Sequence, residues 1–297
     1  MRINPIVKKD IKVQARSMRI CWEVFAYEAI LALVFFLAMF IIEEQNWYSD
    51  TNIYSDIVNL YPVLAVTQII ILGVVVPIRT ASAISGEKER QTFDIMMTTS
   101  MTVFSIVLGK IGTAIVQGMF YVVAGLPIVA LAFVIGGLSW SNLFAFLGVS
   151  FFVALFSAAV GIFCSSVCRK TISAVILSYG IYVIFFLGTL VPYLISAVTG
   201  TDTGLMITTF LLLLNPIVYL LEFFSWSMTG MSPAQDLWAF GKNVSIDAVV
   251  AHYGWMAAST VLLLLVVLVL IIFTMRRIRP ISKRTARKLA EGTVHGR

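Results

Sequence analysis

The chain has 297 residues, 60% of them hydrophobic and only 12% charged, with a formal net charge of +6. That is too apolar for a water-soluble domain of this size, and it points to a polypeptide solvated largely by lipid. The sequence pI of about 9.3 is no nucleic-acid signal, because the excess charge is confined to the segments between long apolar runs and suits anionic lipid instead.

Those segments set the topology. The 21 Lys and Arg residues fall into four groups, Arg2 to Arg19, Arg79 to Lys110, Arg169-Lys170 and Arg276 to Arg297, with Lys242 the sole exception. Basic residues are retained on the cytoplasmic side of polytopic proteins. Both termini and two internal loops are therefore assigned to the cytoplasm, and the number of spans must be even.

In chain order, Asn4-Pro5 starts a helix, with Asn as N-cap and Pro at the first helical position. Val7, Ile11, Gln14 and Met18 follow one face and the basic residues lie elsewhere, so residues 1–20 read as an amphipathic interfacial helix. It serves either as an orientation anchor or as a surface for a cytoplasmic partner. The first span is Cys21–Ile42, with Glu23 placed to pair with Arg19 at the boundary. Glu28 lies deeper, where a carboxylate is costly unless paired, protonated or facing water. The second span is Leu60–Ile78, carrying Gln68, and the third is Ile111–Ile135, carrying Gln117; both amides suit a polar pathway or an interhelical hydrogen bond. The fourth and fifth are Leu143–Val167 and Ile172–Val198, joined by a few residues, and the sixth is Trp255–Phe273. No cleavable signal peptide is expected, since the first apolar run is preceded by some 20 polar residues.

A seventh apolar run, Met206–Phe224, is broken by Asn215-Pro216 and carries Glu222. A full crossing here would put the basic tail, residues 276–297, outside. Proline interrupts a helix, so two half-helices dipping in from the outer face are expected. Cys21, Cys164 and Cys168 lie near cytoplasmic span ends without metal-ligand spacing and read as reduced thiols. His252 and His295 lack a second ligand nearby and are expected to be interfacial and tail histidines, so neither a catalytic nor a metal site is assigned.

The loop of residues 85–100 carries the strongest functional signal. Ser85-Gly86 is expected to break the second span, and Glu87, Lys88, Glu89 and Arg90 form a charge block. A short helix should follow, in which Arg90 and Asp94 pair at four-residue spacing and Phe93, Met96 and Met97 make an apolar tip. Such a tip suits a cleft on another protein, or lipid at the interface. Thr98-Thr99-Ser100 offers capping hydroxyls to the next helix.

The block SGEKERQTFDIMMTTS, with Gly109-Lys110 after it, resembles the signature of ABC-2-type transporter permeases. That signature has an acidic-basic block, Gly-Thr, an apolar and acidic helix, Thr or Ser with Pro, and a trailing Gly-Lys. Thr92 matches its threonine, and Glu87, Lys88, Glu89, Arg90 and Asp94 match its charged positions. Gln91 stands in place of the glycine and Ser100 in place of the proline. The segment Gly161 to Gly180 resembles the family's turn between spans four and five, and Leu214-Asn215-Pro216 its break before the last span.

The resemblance implies an all-α polytopic transport subunit with six transmembrane helices and no motor of its own. The loop would be the coupling helix, with Glu87, Lys88, Glu89, Arg90, Gln91, Thr92, Phe93, Asp94, Met96 and Met97 as contacts to a nucleotide-binding subunit. The N-terminal helix would be the family's connecting helix. No GxxxxGK[ST] occurs in the chain, so ATP and Mg would be bound by two copies of a partner ATPase, and this chain would be no enzyme and hold no cofactor. Two permease copies would share one pathway, as a homodimer or with a homologous partner. Glu28, Gln68, Tyr179 and Tyr182 are its candidate lining residues. The expected location is the plasma membrane of a prokaryote, and the apolar spans suit a lipid, a hydrophobic drug or an amphipathic peptide. Two further classes stay open: a secondary transporter or channel, and a membrane protein that engages a partner without moving anything.

Overall fold

The computed structural model describes residues 18–48, 60–92, 102–135, 140–199, 202–238 and 247–278. These fold into nine helices and no strand: α1 Met18–Tyr48, α2 Leu60–Glu89, α3 Val103–Ile135, α4 Trp140–Val167, α5 Thr171–Thr199, α6 Asp202–Leu212, α7 Pro216–Thr229, α8 Ala234–Trp238 and α9 Ala248–Ile278. Six of them (α1 to α5 and α9) are long and apolar enough to cross a membrane. The N-terminal interfacial helix through residue 17, Phe93 to Met97, the hydroxyls of Thr98 to Ser100 and the tail from residue 279 lie outside the described residues.

Helix α4 is the axis of the bundle. Its small residues Ala154, Ala158, Ala159 and Gly161 are all buried and let neighbours come close. The closest approach is at Gly161, where a Cβ would lie 2.8 Å from Cβ of Thr80 and 3.2 Å from the Pro77 carbonyl of α2. Helix α2 continues through Pro77, and just beyond it Thr80 Oγ1 donates to Val76 O at 2.9 Å. Leu72, Val76, Ile84, Val107, Ile111, Ala158, Ile162 and Ile278 belong to one continuous core. By contrast α1 is peripheral: it packs on α2 and α3 through Tyr27 and Leu31 and exposes Phe25, Leu33, Phe36 and Phe40. Rows of exposed apolar side chains are the expected surface of a helix facing lipid.

The helices outrun the apolar cores. At 1.5 Å per residue α2 is about 45 Å long, against a hydrocarbon thickness of about 30 Å. The surplus lies at the end that carries Arg90, Lys170 and Arg276, referred to below as the basic end. Ile278 and Ile84 share one core there, so the described chain ends on the same side as the α2–α3 and α4–α5 connections.

One local expectation is corrected. Ser85-Gly86 does not break the second span, and α2 continues to Glu89. Ser165 Oγ of α4 accepts from both Ile84 N and Ser85 N, at 2.9 and 2.8 Å, so a tertiary contact holds the backbone where local propensity would have released it. The side chain of Arg19 lies outside the described residues, and Glu23 finds a partner in Arg79 of α2. It ion-pairs with that guanidinium and accepts a 2.8 Å bond from Tyr121 OH of α3.

At the far end, the seventh apolar run is split at Asn215-Pro216 into two short helices, α6 and α7. Asn215 (φ −86, ψ 111) caps α7, its side chain accepting from Ile217 N and Val218 N, with Pro216 at the first helical position. Asn215 Nδ2 donates to Thr189 Oγ1 at 2.8 Å and Phe186 O at 3.3 Å, and Ser259 Oγ donates to Leu213 O at 2.7 Å. Thr189 and Phe186 lie ten to thirteen residues from the end of α5, so the tip dips about 15–20 Å along the bundle. The capping side chain of Asn215 is thus tied to α5, and the Leu213 carbonyl at the break is bonded by α9. His252 is corrected as well. It is buried and packs its Nδ1 2.9 Å from Glu222 Oε1, stacked 4.5 Å from Trp226. Glu222 also accepts from Ser232 Oγ at 2.5 Å and Ala234 N at 2.8 Å, tying α7, α8 and α9 together.

Candidate functional site

The last turn of α2 gathers three other helices. Glu87 Oε1 accepts a 2.9 Å bond from Lys110 Nζ of α3. Lys88 Nζ reaches the end of α4 and donates to Ser166 O at 2.5 Å, Cys168 O at 3.1 Å and Ser165 O at 3.3 Å. Glu89 reaches the start of α5, accepting from Thr171 Oγ1 at 2.6 Å and Thr171 N at 3.1 Å. The charges match what they touch. The last carbonyls of a helix carry partial negative charge and the first N–H groups partial positive charge. Adjacent Lys88 and Glu89 therefore cap the two ends of the α4–α5 reversal, a cation on one and an anion on the other.

Helix α2 stops just beyond this brace in a Schellman arrangement. Gln91 N donates to Lys88 O at 3.2 Å and Thr92 N to Glu87 O at 3.0 Å, with Gln91 at φ 57. Position 91 therefore keeps the left-handed conformation glycine favours, with glutamine supplying it at a steric cost. Of the sequence-derived contact residues, Glu87 and Lys88 are half-buried against the bundle, Glu89 is exposed but bonded to Thr171, and Arg90, Gln91 and Thr92 are exposed at its end. Helix α3 resumes at Val103, where Thr102 Oγ1 accepts from Ser105 N at 3.3 Å. The end of α2 thus leads directly into residues 93–101.

A chain with this geometry should match a family of membrane transport subunits, and it does: the profile of the ABC-2 family transporter proteins matches residues 4–277. The chain belongs to that family. No curated protein matches it closely enough to count as a relative. It is a multi-pass membrane protein of the transporter permease type, and in this family the permease is the transport subunit, not the catalytic one.

The four candidate lining residues of this ABC-2 permease fall in two places. Tyr179 and Tyr182 sit together on α5, their rings 6.4 Å apart, with Tyr179 OH donating to Val74 O of α2 at 2.7 Å. Tyr182 borders an apolar cavity of about 150 Å³ whose walls include Ile69, Gly73, Phe156, Pro216 and Leu263. Gln68 is on the other side of α2, fully buried, with Nε2 donating to Val122 O of α3 at 2.9 Å. Glu28 is on α1, beside Tyr27, and its Oε1 is buried with no hydrogen-bond partner among the described residues.

Sequence reasoning passed over Ser165, Ser166 and Thr171 as partners of the charge block. They are 77 to 82 residues from Lys88 and Glu89, and only the docking of α2 against the α4–α5 turn brings them together. The one available signal was their presence in the Gly161 to Gly180 segment that resembles the family's span-four turn.

Proposed function

We propose that this chain is the membrane-spanning half of an ATP-driven exporter, coupled through residues 85–100 to a separate nucleotide-binding subunit at the basic end. The supporting observation is the brace at the end of α2. Through Glu87, Lys88 and Glu89 a displacement of the 90–102 connection reaches α3, α4 and α5 together. In this reading the exposed Arg90, Gln91 and Thr92 belong to the contact rim, with Asp94, and Phe93, Met96 and Met97 fill the partner's cleft. The basic end is cytoplasmic, two ATPase copies bind ATP and Mg, and two copies of this chain share the pathway in a prokaryotic plasma membrane. Exposed apolar rows on α2 (Val66, Ile70, Val74) and α5 (Ile176, Val183, Leu187) supply a face for the second copy. The largely apolar cavity beside Tyr182 favours a substrate with hydrocarbon character: a lipid, a hydrophobic drug or an amphipathic peptide.

Two features favour a secondary transporter, the buried carboxylate oxygen of Glu28 and the half-helices before the last span, since such proteins bind ions at helix breaks. Here the polar atoms of the break are taken by Thr189, Phe186 and Ser259, which argues against an ion site. The test is affinity purification of the tagged chain from its native membrane, followed by flux in proteoliposomes. A stoichiometric soluble ATPase, lost on Phe93→Ala with the bundle still folded, supports the proposal. Truncating a buried aromatic anchor costs about 2 kcal/mol or more, roughly thirtyfold in affinity. Flux driven by a proton or sodium gradient from the chain alone would overturn it.

A further inference from the structure

Between α2 and α3, toward the basic end, runs an open polar groove of about 240 Å³. Its walls carry Arg79, Thr80 and Ser82 from α2 and Lys110, Thr113 and Gln117 from α3. Its depth is fixed by the apolar runs. Leu60–Ile78 spans 19 residues, about 28 Å at 1.5 Å per residue, which matches the roughly 30 Å hydrocarbon layer and leaves Arg79 as the first charged residue past it. Lys110 precedes the apolar run of α3 in the same way. Both cations therefore stand where the phosphates of one leaflet lie. The surrounding helices are mostly apolar at the same level, so the groove is a polar inlet in an apolar wall.

The cations are held in place from outside the groove. Arg79 is ion-paired with Glu23 and donates to Tyr121 OH at 3.0 Å, and Lys110 is bonded to Glu87 at 2.9 Å. A guanidinium carries five N–H donors, more than those two contacts use. We infer that this groove binds the phosphate headgroup of an anionic phospholipid from the leaflet at the basic end, with Arg79 as the forked donor and Lys110 as the point charge, while exposed Ser82, whose hydroxyl donates to Arg79 O at 2.7 Å, borders its open side. Basic pockets between transmembrane helices on the cytoplasmic side take lipid headgroups in this way. A single phosphate would then bridge α2 and α3 one to two turns from the brace. The carboxylates that hold the cations also offset their charge, so the selectivity expected is moderate.

The experiment is native mass spectrometry of the full chain in detergent, titrated with phosphatidylglycerol or with phosphatidylcholine of the same acyl chains. One phosphatidylglycerol per chain should be retained about tenfold more tightly than phosphatidylcholine. Lys110→Gln should weaken it about fivefold, the worth of one basic residue near a membrane surface. Ser82→Phe, at an exposed position that leaves both cations intact, should block the groove and keep the proposal testable if the Lys110 variant does not fold. Arg169→Gln, an exposed charge at the same end but outside the groove, should change nothing. Equal retention of the two lipids, an Arg169→Gln effect as large as that of Lys110→Gln, or no effect of Ser82→Phe would overturn the assignment. Displacement by millimolar inorganic phosphate would assign the groove to a free anion and overturn its identification as a lipid site.

Discussion

Replacing Lys88 with Met removes a single charge and, if the brace is as described, loosens a turn some 80 residues away in sequence. The ammonium serves three carbonyls at 2.5, 3.1 and 3.3 Å, those of Ser166, Cys168 and Ser165. A hydrogen bond from a charged donor is worth about 1.5–3 kcal/mol, and a cation at a partly buried helix C-terminus up to about 2 kcal/mol. These are two views of one interaction and do not add. A half-buried ammonium shared among three acceptors should contribute about 2 kcal/mol to keeping the end of α4 closed, a factor of about thirty in its opening equilibrium. Hydrogen exchange of the detergent-purified chain, resolved to the peptide covering residues 166–174, reads this directly. Lys88→Met should raise exchange there about thirtyfold and leave the core of α9 unchanged, and Lys88→Arg should restore most of the protection. Exchange unaltered in Lys88→Met would mean that the carbonyls are satisfied otherwise, and the brace would lose its central member.

The same reasoning predicts the outcome of substitutions at five further positions. Gln91→Gly relieves the left-handed backbone at φ 57 and should stabilise the end of α2 by about 1 kcal/mol, seen as slower exchange of residues 88–92. Gly161→Ala places a Cβ 2.8 Å from Thr80 Cβ and should cost about 1–3 kcal/mol in thermal unfolding, whereas Gly148→Ala, with nothing within 4 Å, should be neutral. Asn215→Ala removes the cap of α7 together with the bond to Thr189, so a loss of about 1–2 kcal/mol and faster exchange of the half-helices are expected. Glu222→Ala strands His252, Ser232 and Ala234 N without their acceptor and should cost about 3–5 kcal/mol, with Glu222→Gln retaining part of it.

Much of the architecture was legible in the order of residues. Hydrocarbon excludes charge and water-starved backbone, so six apolar lengths leave little freedom in the number of spans. Asn215-Pro216 announced its break for an equally local reason: proline has no N–H to give, and Asn can accept from the next turn. The charge block at Glu87 to Arg90 could be singled out, but not what its side chains do. Local propensity argued for a break at Ser85-Gly86, and the Ser165 hydroxyl, arriving from α4, overrode it. Neighbour spacing named Arg19 for Glu23, but could not name Arg79 and Tyr121, which the packing of α1 against α2 and α3 brings to the same carboxylate. His252 looked solitary until the half-helices folded Glu222 back beside it. What the sequence determined by itself follows from how each segment is solvated, a property it carries alone. Which ion pair forms, and which helix end each charge caps, depends on distances between segments far apart in the chain, and only the packed bundle decides those.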